Sequence, residues 1–242
     1  MRKIDRSQKI YRIFKKRYFF NMFEKEENTL VLPDIWEDPF ENLILKSTIE
    51  NLKDENGKVI VERGDFEFKN SIYMQCWGAH EVPDAMWHIY SNKRNAVQVE
   101  TTVGKLIDAL CNAHPGETGD CHIYGVCYED EAKLRRDAGN IKMIHHDAEE
   151  LIKLSSLIKR KAFEHEREVR LIYTGSKNKD PANNIHTYKI KPHNLIDRVI
   201  VDPRICPCEY TQFKKEIKER TNFDNVEQSA LCHEIKNTIR IQ

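Results

Sequence analysis

Apolar and polar positions change period several times along the chain, and each period predicts an element. From Val169 onward the period is two. Val169, Leu171 and Tyr173 alternate with Glu168, Arg170 and Thr174, which predicts a half-buried strand. That strand carries Glu166, Glu168 and Arg170 on one face. Ionisable side chains in a row are costly to bury unless they pair or do chemistry, and a solvated Glu–Arg ladder is the alternative. Near the start, Ile10, Ile13, Phe14, Arg17 and Tyr18 recur at helical spacing, with Asp5 or Ser7 placed to cap the helix. Thr29–Pro33 reads as a short strand, and residues 42–52 as a short helix. Asn56-Gly57 is a hairpin dipeptide.

Further on, Ser71–Trp77 predicts a strand. Pro83-Asp84 opens a short amphipathic helix bearing Met86, Trp87, Ile89 and Tyr90. A strand over Asn95–Glu100 leads to a helix over Val103–Ala113, and Cys121–Tyr128 is a central strand. Ala148–Lys161 reads as a helix running into the acidic strand. Ser176–Asn184 reads as a loop, Ile185–Ile190 and Val199–Val201 as strands, and Glu209–Arg220 as a helix with Phe213 and Ile217 inward. No repeat, low-complexity tract or linker interrupts this order. The expectation is a single α+β domain over residues 1–242, a mixed sheet with flanking helices.

Charge adds a limit. Lys+Arg and Asp+Glu both number 39, so a dedicated polybasic nucleic-acid binder is not indicated, although a local basic groove is compatible. No apolar run approaches the ~20 residues of a membrane span. The first residues, Met1-Arg-Lys-Ile-Asp-Arg6, lack the apolar core of a signal peptide, so a cytoplasmic protein is expected. Seven cysteines are scattered without a Cys-x-x-Cys pair. Cys206-Pro-Cys208 is a single close pair with no second pair to complete a zinc site, and free thiols are expected. His145-His146-Asp147 is the densest metal-ligand run, but adjacent histidines in a strand point to opposite faces. No metal site is predicted.

Glycine-rich phosphate loops, Gly-x-Ser-x-Gly and His-Glu-x-x-His are all absent. Three other stretches mix aromatic residues with carboxylates or hydroxyls: Trp36-Glu-Asp-Pro-Phe-Glu41, Cys76 through Trp87 to Ser91, and Phe163 through Arg170. Aromatics that stack a base, beside charges that hold ribose or phosphate, suit a nucleotide or nucleobase ligand. The competing reading makes Trp36, Trp77 and Trp87 core residues.

The order of these motifs resembles the bacterial family catalogued as domain of unknown function 2971. Glu37-Asp-Pro-Phe-Glu41 matches its Asn-Asp-Pro-Phe-Glu loop, and Gln75-Cys-Trp-Gly78 loosely matches its Ser-Cys-Phe-Ser strand. Met86-Trp-His-Ile-Tyr90 matches Met-Trp-x-x-Tyr, and Glu166-Arg-Glu-Val-Arg170 matches Glu-x-Glu-x-Arg. Val199-Ile-Val-Asp-Pro203 resembles its Val-Ile-x-x-Pro turn, whereas Ala96-Val97 departs from its Gly-Val. The resemblance runs from about residue 11 to about residue 230 and implies no activity.

A second likeness does. Glu166-Arg-Glu168-Val169 is similar to the Glu-x-Glu strand of ADP-ribosyltransferases, in which a basic residue comes first, Ser-x-Ser second and the acidic residue last. Here Cys76-Trp77-Gly78 stands where Ser-x-Ser is expected. The resemblance implies an ADP-ribosyltransferase-like fold, with NAD as candidate substrate. It also implies an enzyme acting on the N-glycosidic bond of a nucleotide or nucleic acid, by ADP-ribosyl transfer or as a base-releasing glycosylase. By analogy with small bacterial domains, its setting would be phage defence or a toxin. Cleaving that bond builds positive charge on the sugar, which a fixed carboxylate stabilises. Glu168 is then the main catalytic carboxylate and Glu166 its helper. Arg12 or Arg170 binds phosphate, Trp87 and Tyr90 cradle the base, and Trp36, Glu37, Asp38 and Trp77 complete the substrate site. The alternatives are a non-enzymatic nucleotide or nucleic-acid binding module, and a structural partner protein whose acidic strand is a satisfied ion-pair face.

Overall fold

The computed structural model describes residues 4–33, 36, 38, 41, 49–64, 71–115, 120–140, 156–175 and 184–232. The chain opens with β1 (Lys9–Lys15), α1 (Lys16–Lys25) and β2 (Glu27–Val31). The hairpin β3 (Ile49–Lys53) and β4 (Val59–Gly64) follows, then β5 (Ile72–Gly78), α2 (Asp84–Tyr90), β6 (Ala96–Thr102) and α3 (Val103–Ala113). Next come β7 (Asp120–Gly125), β8 (Cys127–Glu129), α4 (Glu131–Asn140) and β9 (Ile158–Arg160). A 3₁₀ turn over Lys161–Glu166 leads into β10 (Glu168–Thr174). The remainder is β11 (Ile185–Lys189), α5 (Pro192–Leu195), β12 (Arg198–Val201), α6 (Pro207–Thr221) and β13 (Val226–Gln228). This is a mixed α+β architecture built on one large sheet.

The large sheet runs β11-β2-β5-β1-β6-β12-β13, with β10 on the second edge of β5 and β7 beyond β10. All its ladders are antiparallel except β12 with β13. The pairing of β5 decides where a site can form. On one edge it pairs with β10 over seven residues, Glu168↔Gly78 to Thr174↔Ile72. On the other edge it meets β2 only at Met74↔Val31 and β1 only at Gly78↔Tyr11. The sheet therefore splits beside Gln75, Cys76 and Trp77, and polar side chains fill the gap. Arg12 Nη1 donates to the Cys76 carbonyl. Gln75 Nε2 donates to Asn28 Oδ1 and the Thr29 carbonyl, and Trp77 Nε1 donates to Gln75 Oε1.

Alternation along β5 and β10 assigns the two faces. Val169, Leu171, Tyr173, Tyr73 and Trp77 enter the main core, which includes Leu106 and Leu110 of α3. Met74 and Ile172 lie on the opposite face with Leu157. Glu168 and Arg170 share that second face by register. Six of the seven residues of β10 are buried, so this strand is covered on both faces and not half-buried as its pattern predicts. On the second face Leu157, Lys159 of β9, Trp36 and Glu41 pack against it, contacts that a one-dimensional pattern does not reveal.

Other expectations also give way. Residues 9–15 form a strand rather than a helix, because all seven pair with β6, Lys9↔Thr102 to Lys15↔Ala96. Apolar residues at i, i+3 and i+4 fit a strand packed on both faces as well as a helix, and isoleucine and aromatic residues favour the strand. Asp5 accepts from the Ser7 N–H and hydroxyl in a turn before this strand, so neither caps a helix. Ile49–Lys53 is a strand where the end of a helix was expected, and Ile158–Arg160 likewise. Residues 42–48 and 148–155 of those two predicted helices, residues 176–183 of the expected loop, and His145-His146-Asp147 lie outside the described residues. The helix over Val103–Ala113 forms as predicted, with Thr102 Oγ1 accepting from the Lys105 N–H at 3.3 Å. Among the described residues, no helix is long and apolar enough to cross a membrane.

Candidate functional site

The split between β1 and β5 opens into a cavity of about 480 Å³, within the range of small-molecule sites. Tyr11, Arg12 and Ile13 of β1 and Met74–Gly78 of β5 line it, together with Pro83, Met86 and Tyr90 and the charged Lys159, Glu166 and Glu168. Trp36 and Glu41 also line it.

The acidic wall depends on a local break in the strand pattern. Arg167 adopts a left-handed conformation at φ 42°, closing the 3₁₀ turn before β10 begins. A non-glycine residue in that region is uncommon and clusters at functional sites. Its carbonyl accepts from the Ala79 N–H at 2.9 Å, which fixes the turn against the end of β5. Glu166 and Glu168 thus both reach the same cation. Lys159 Nζ lies 2.6 Å from Glu166, 3.1 Å from Glu168 and 3.0 Å from Glu41.

Beneath them, Arg170 binds Glu168 through Nε at 2.7 Å and Nη2 at 3.1 Å. It also donates to Glu41 at 2.7 Å and to the Ser156 carbonyl at 2.6 Å, and its guanidinium lies 4.5 Å from the Trp36 ring centroid. Three carboxylates meet two cations in this cluster, so one negative charge is in excess.

The electrostatics follow from this packing. Burial raises the Glu168 pKa, but the Arg170 charge and hydrogen bonds, then Lys159 and the Cys76 thiol, outweigh it and hold Glu168 at about 2. Glu168 is therefore a fixed anion at neutral pH and not a proton donor. Burial lowers the Lys159 pKa, yet Glu168, Glu166 and Glu41 more than offset that and hold it above the usual lysine range. Burial pushes the Cys76 thiol well up, with Glu168 adding to the effect, so it is not an activated nucleophile. Withdrawal from solvent and then the Glu166 charge push the Tyr90 phenol up to about 12.

Arg12 is the contrasting group. Its Nε is buried without a hydrogen-bond partner, and it forms no ion pair among the described residues. Burial lowers its pKa, but a guanidinium stays charged at any working pH. A cation so placed, facing the cavity, is suited to an anionic ligand group.

The structure brings Arg12, Trp36, Trp77, Tyr90, Glu166 and Glu168 together around one cavity. Three expected members stand elsewhere. Trp87 does not line it. Trp87 instead packs with Met86 into a core cluster with Tyr11, Val82 and Ile200, where it is fully buried. Arg170 is also fully buried, committed to Glu168 and Glu41, so its role is to hold carboxylates rather than a phosphate. Asp38 does not line the cavity and pairs with Arg160 at 3.1 Å. Glu37 lies outside the described residues. Lys159 is the member that sequence reasoning missed, because its segment read as helix. Its position at the end of an apparent helix gave no signal.

Two outcomes follow. Trp87→Ala should cost about 3–5 kcal/mol in stability, as buried aromatic truncations do, measured by denaturant unfolding. Trp87→Phe should cost far less, because the indole Nε1 has no hydrogen-bond partner among the described residues. A Trp87→Ala protein with unchanged stability but weakened ligand binding would place this side chain in the site after all.

The second outcome concerns pH. Glu168 is held at about 2 in the folded protein, against its ordinary value of 4.5 in the unfolded chain, so its contribution is present above the latter value and lost as pH falls toward the former. Melting temperature should therefore decline between those two values. The decline should be shallower in Glu168→Gln, and parallel curves for the two proteins would contradict the assignment.

Comparison with known proteins adds the following. The model of the family described as "Protein of unknown function (DUF2971)" matches residues 86–171, the segment holding Tyr90, Lys159, Glu166, Glu168 and Arg170. Among curated proteins none matches the chain. Among solved structures, the chain is similar to DarT of Thermus sp. 2.9 in complex with NAD+, at 10% identity and a TM-score of 0.41, covering 94% of this chain and 98% of that one. The same protein in complex with ADP-ribosylated single-stranded DNA gives 9% identity and a TM-score of 0.39, over 94% and 95% of the two chains.

Proposed function

We propose that the cavity binds a nucleotide and that the protein catalyses cleavage or transfer at its N-glycosidic bond, with NAD as the substrate and a nucleic acid as acceptor. One observation carries this reading. A nucleotide-sized cavity has an acidic wall with one negative charge in excess, and on its β1 side an arginine without an ion-pair partner among the described residues. Arg12 then holds phosphate, while Trp36 and Tyr90 supply aromatic surface for the base. Glu168, ionised throughout the working range, supplies the negative charge that an oxocarbenium-like sugar requires. Glu166 spends Oε2 on Lys159, and its Oε1 is uncommitted among the described residues, which suits it to a ribose hydroxyl or an incoming nucleophile.

The engagement of Glu168 by both Arg170 and Lys159 favours a second reading, a binding module without chemistry. Incubation with NAD, alone and with single-stranded DNA, followed by mass spectrometry, separates the two. Released nicotinamide together with an ADP-ribosyl adduct supports transfer, and nicotinamide with free ADP-ribose supports hydrolysis. Calorimetric binding of NAD with no product would leave the binding module.

A further inference from the structure

The close cysteine pair of the sequence has no part in the cavity, and its geometry has a chemistry of its own. Cys206 and Cys208 are free and exposed, and their Sγ atoms lie 2.7 Å apart. That is closer than two non-bonded sulfurs rest, and within about 0.7 Å of a disulfide bond length. The backbone holds them there. Cys206 is the N-cap of α6 in an extended conformation, φ −72° and ψ 161°, and Pro207 at the first helical position restricts the link between the two thiols. A capping box fixes the turn further. The Glu209 N–H donates to Cys206 Sγ at 3.4 Å, and the Cys206 N–H donates to the Glu209 carboxylate at 3.0 Å.

We propose that Cys206-Pro207-Cys208 is a reversible dithiol–disulfide site that reacts with low-molecular-weight disulfides. The Cys206 sulfur, which faces the Glu209 N–H, attacks one sulfur of the reagent. The reagent's S–S bond breaks, a mixed disulfide forms on Cys206, and the first thiol leaves with the proton from Cys206. Cys208 then attacks the Cys206 sulfur. The mixed disulfide breaks, the internal bond forms, and the second thiol leaves with the proton from Cys208. The two cysteines are oxidised by two electrons, and one reagent disulfide is reduced to two thiols. The hydrogen bond with Cys206 raises the Cys208 pKa, which fits Cys208 as the resolving partner that keeps its proton until the second step. The neighbouring charges are Glu209 and Arg94, whose Nη1 donates to the Arg204 carbonyl.

The test uses the full-length protein and oxidised glutathione. After alkylation of remaining thiols without reduction, trypsin releases Ile205–Lys214, which contains both cysteines. The expected peptide is lighter by two hydrogen atoms and carries neither alkyl group nor glutathione, and dithiothreitol restores the dithiol. Exposed Cys111, which has no thiol in hydrogen-bond contact among the described residues, provides the internal control and should stop at the mixed disulfide. Cys208→Ser should trap glutathione on Cys206. Peptide 205–214 that stays doubly alkylated while Cys111 reacts, or that keeps glutathione in the unmodified protein, would overturn the proposal.

Discussion

Arg170→Met should destabilise the protein by about 3–5 kcal/mol, the range for breaking a buried ion pair from one side. Arg170 is fully buried and makes bonds to Glu168, Glu41 and the Ser156 carbonyl. Methionine fills part of the space but leaves Glu168 and Glu41 sharing Lys159 alone, and the Ser156 carbonyl loses this donor. An exposed pair such as Lys215–Glu219, with side chains 75% and 63% accessible, should contribute no more than about 0.5 kcal/mol. Urea unfolding of the two variants therefore gives a contrast larger than experimental error. A loss under about 1 kcal/mol for Arg170→Met would mean that water or rearrangement neutralises the cluster. Pairing the change with Glu168→Leu should recover part of the loss, since a buried ion pair replaced from both sides by apolar groups is often neutral.

Glu168→Gln should reduce turnover by about 10²–10³-fold, the usual effect of removing one preorganised electrostatic group. The substitution keeps the shape and one hydrogen-bond acceptor but takes the cluster from one excess negative charge to none. Without that charge, nothing fixed on this wall offsets the positive sugar. The same substitution should also lower stability, because Arg170 and Lys159 each lose a carboxylate. Turnover is therefore compared well below the melting temperature of the variant, with far-UV circular dichroism as the check on folding. Nucleotide affinity should change little, because phosphate and base are assigned to Arg12 and the aromatic residues. A variant that loses affinity and turnover together would move Glu168 from transition-state stabilisation to binding.

The hydrophobic pattern made most of the sheet legible. The strands through Ser71–Trp77, Asn95–Glu100 and Val169–Tyr173, and the helix over Val103–Ala113, follow from their period and their caps. Failures concentrate where both faces of a strand are covered. Ile10, Tyr11, Ile13 and Phe14 read equally well as one helix face or as two strand faces, and pairing with β6 decides between them.

In the site, the acidic pair at 166 and 168 stood out because ionisable side chains in a row on a half-buried strand are costly to bury unless they pair. What the sequence did not reveal is partnership across distance. Lys159 and Arg170 divide three carboxylates only once Lys159 of β9 reaches Glu168 of β10, and no spacing rule encodes that contact. Trp87 and Tyr90 read alike in sequence, yet three positions along a helix of seven residues separate a core side chain from a cavity wall.

The most direct measurement is the rate of nicotinamide release at saturating NAD, followed chromatographically for the unmodified protein, Glu166→Gln and Glu168→Gln on matched, folded preparations. The predicted result is release well above the buffer rate for the unmodified protein, falling by about 10²–10³-fold in Glu168→Gln and measurably in Glu166→Gln. Release at the buffer rate by the unmodified protein, or an undiminished rate in Glu168→Gln, would contradict the assignment of N-glycosidic chemistry to this cavity.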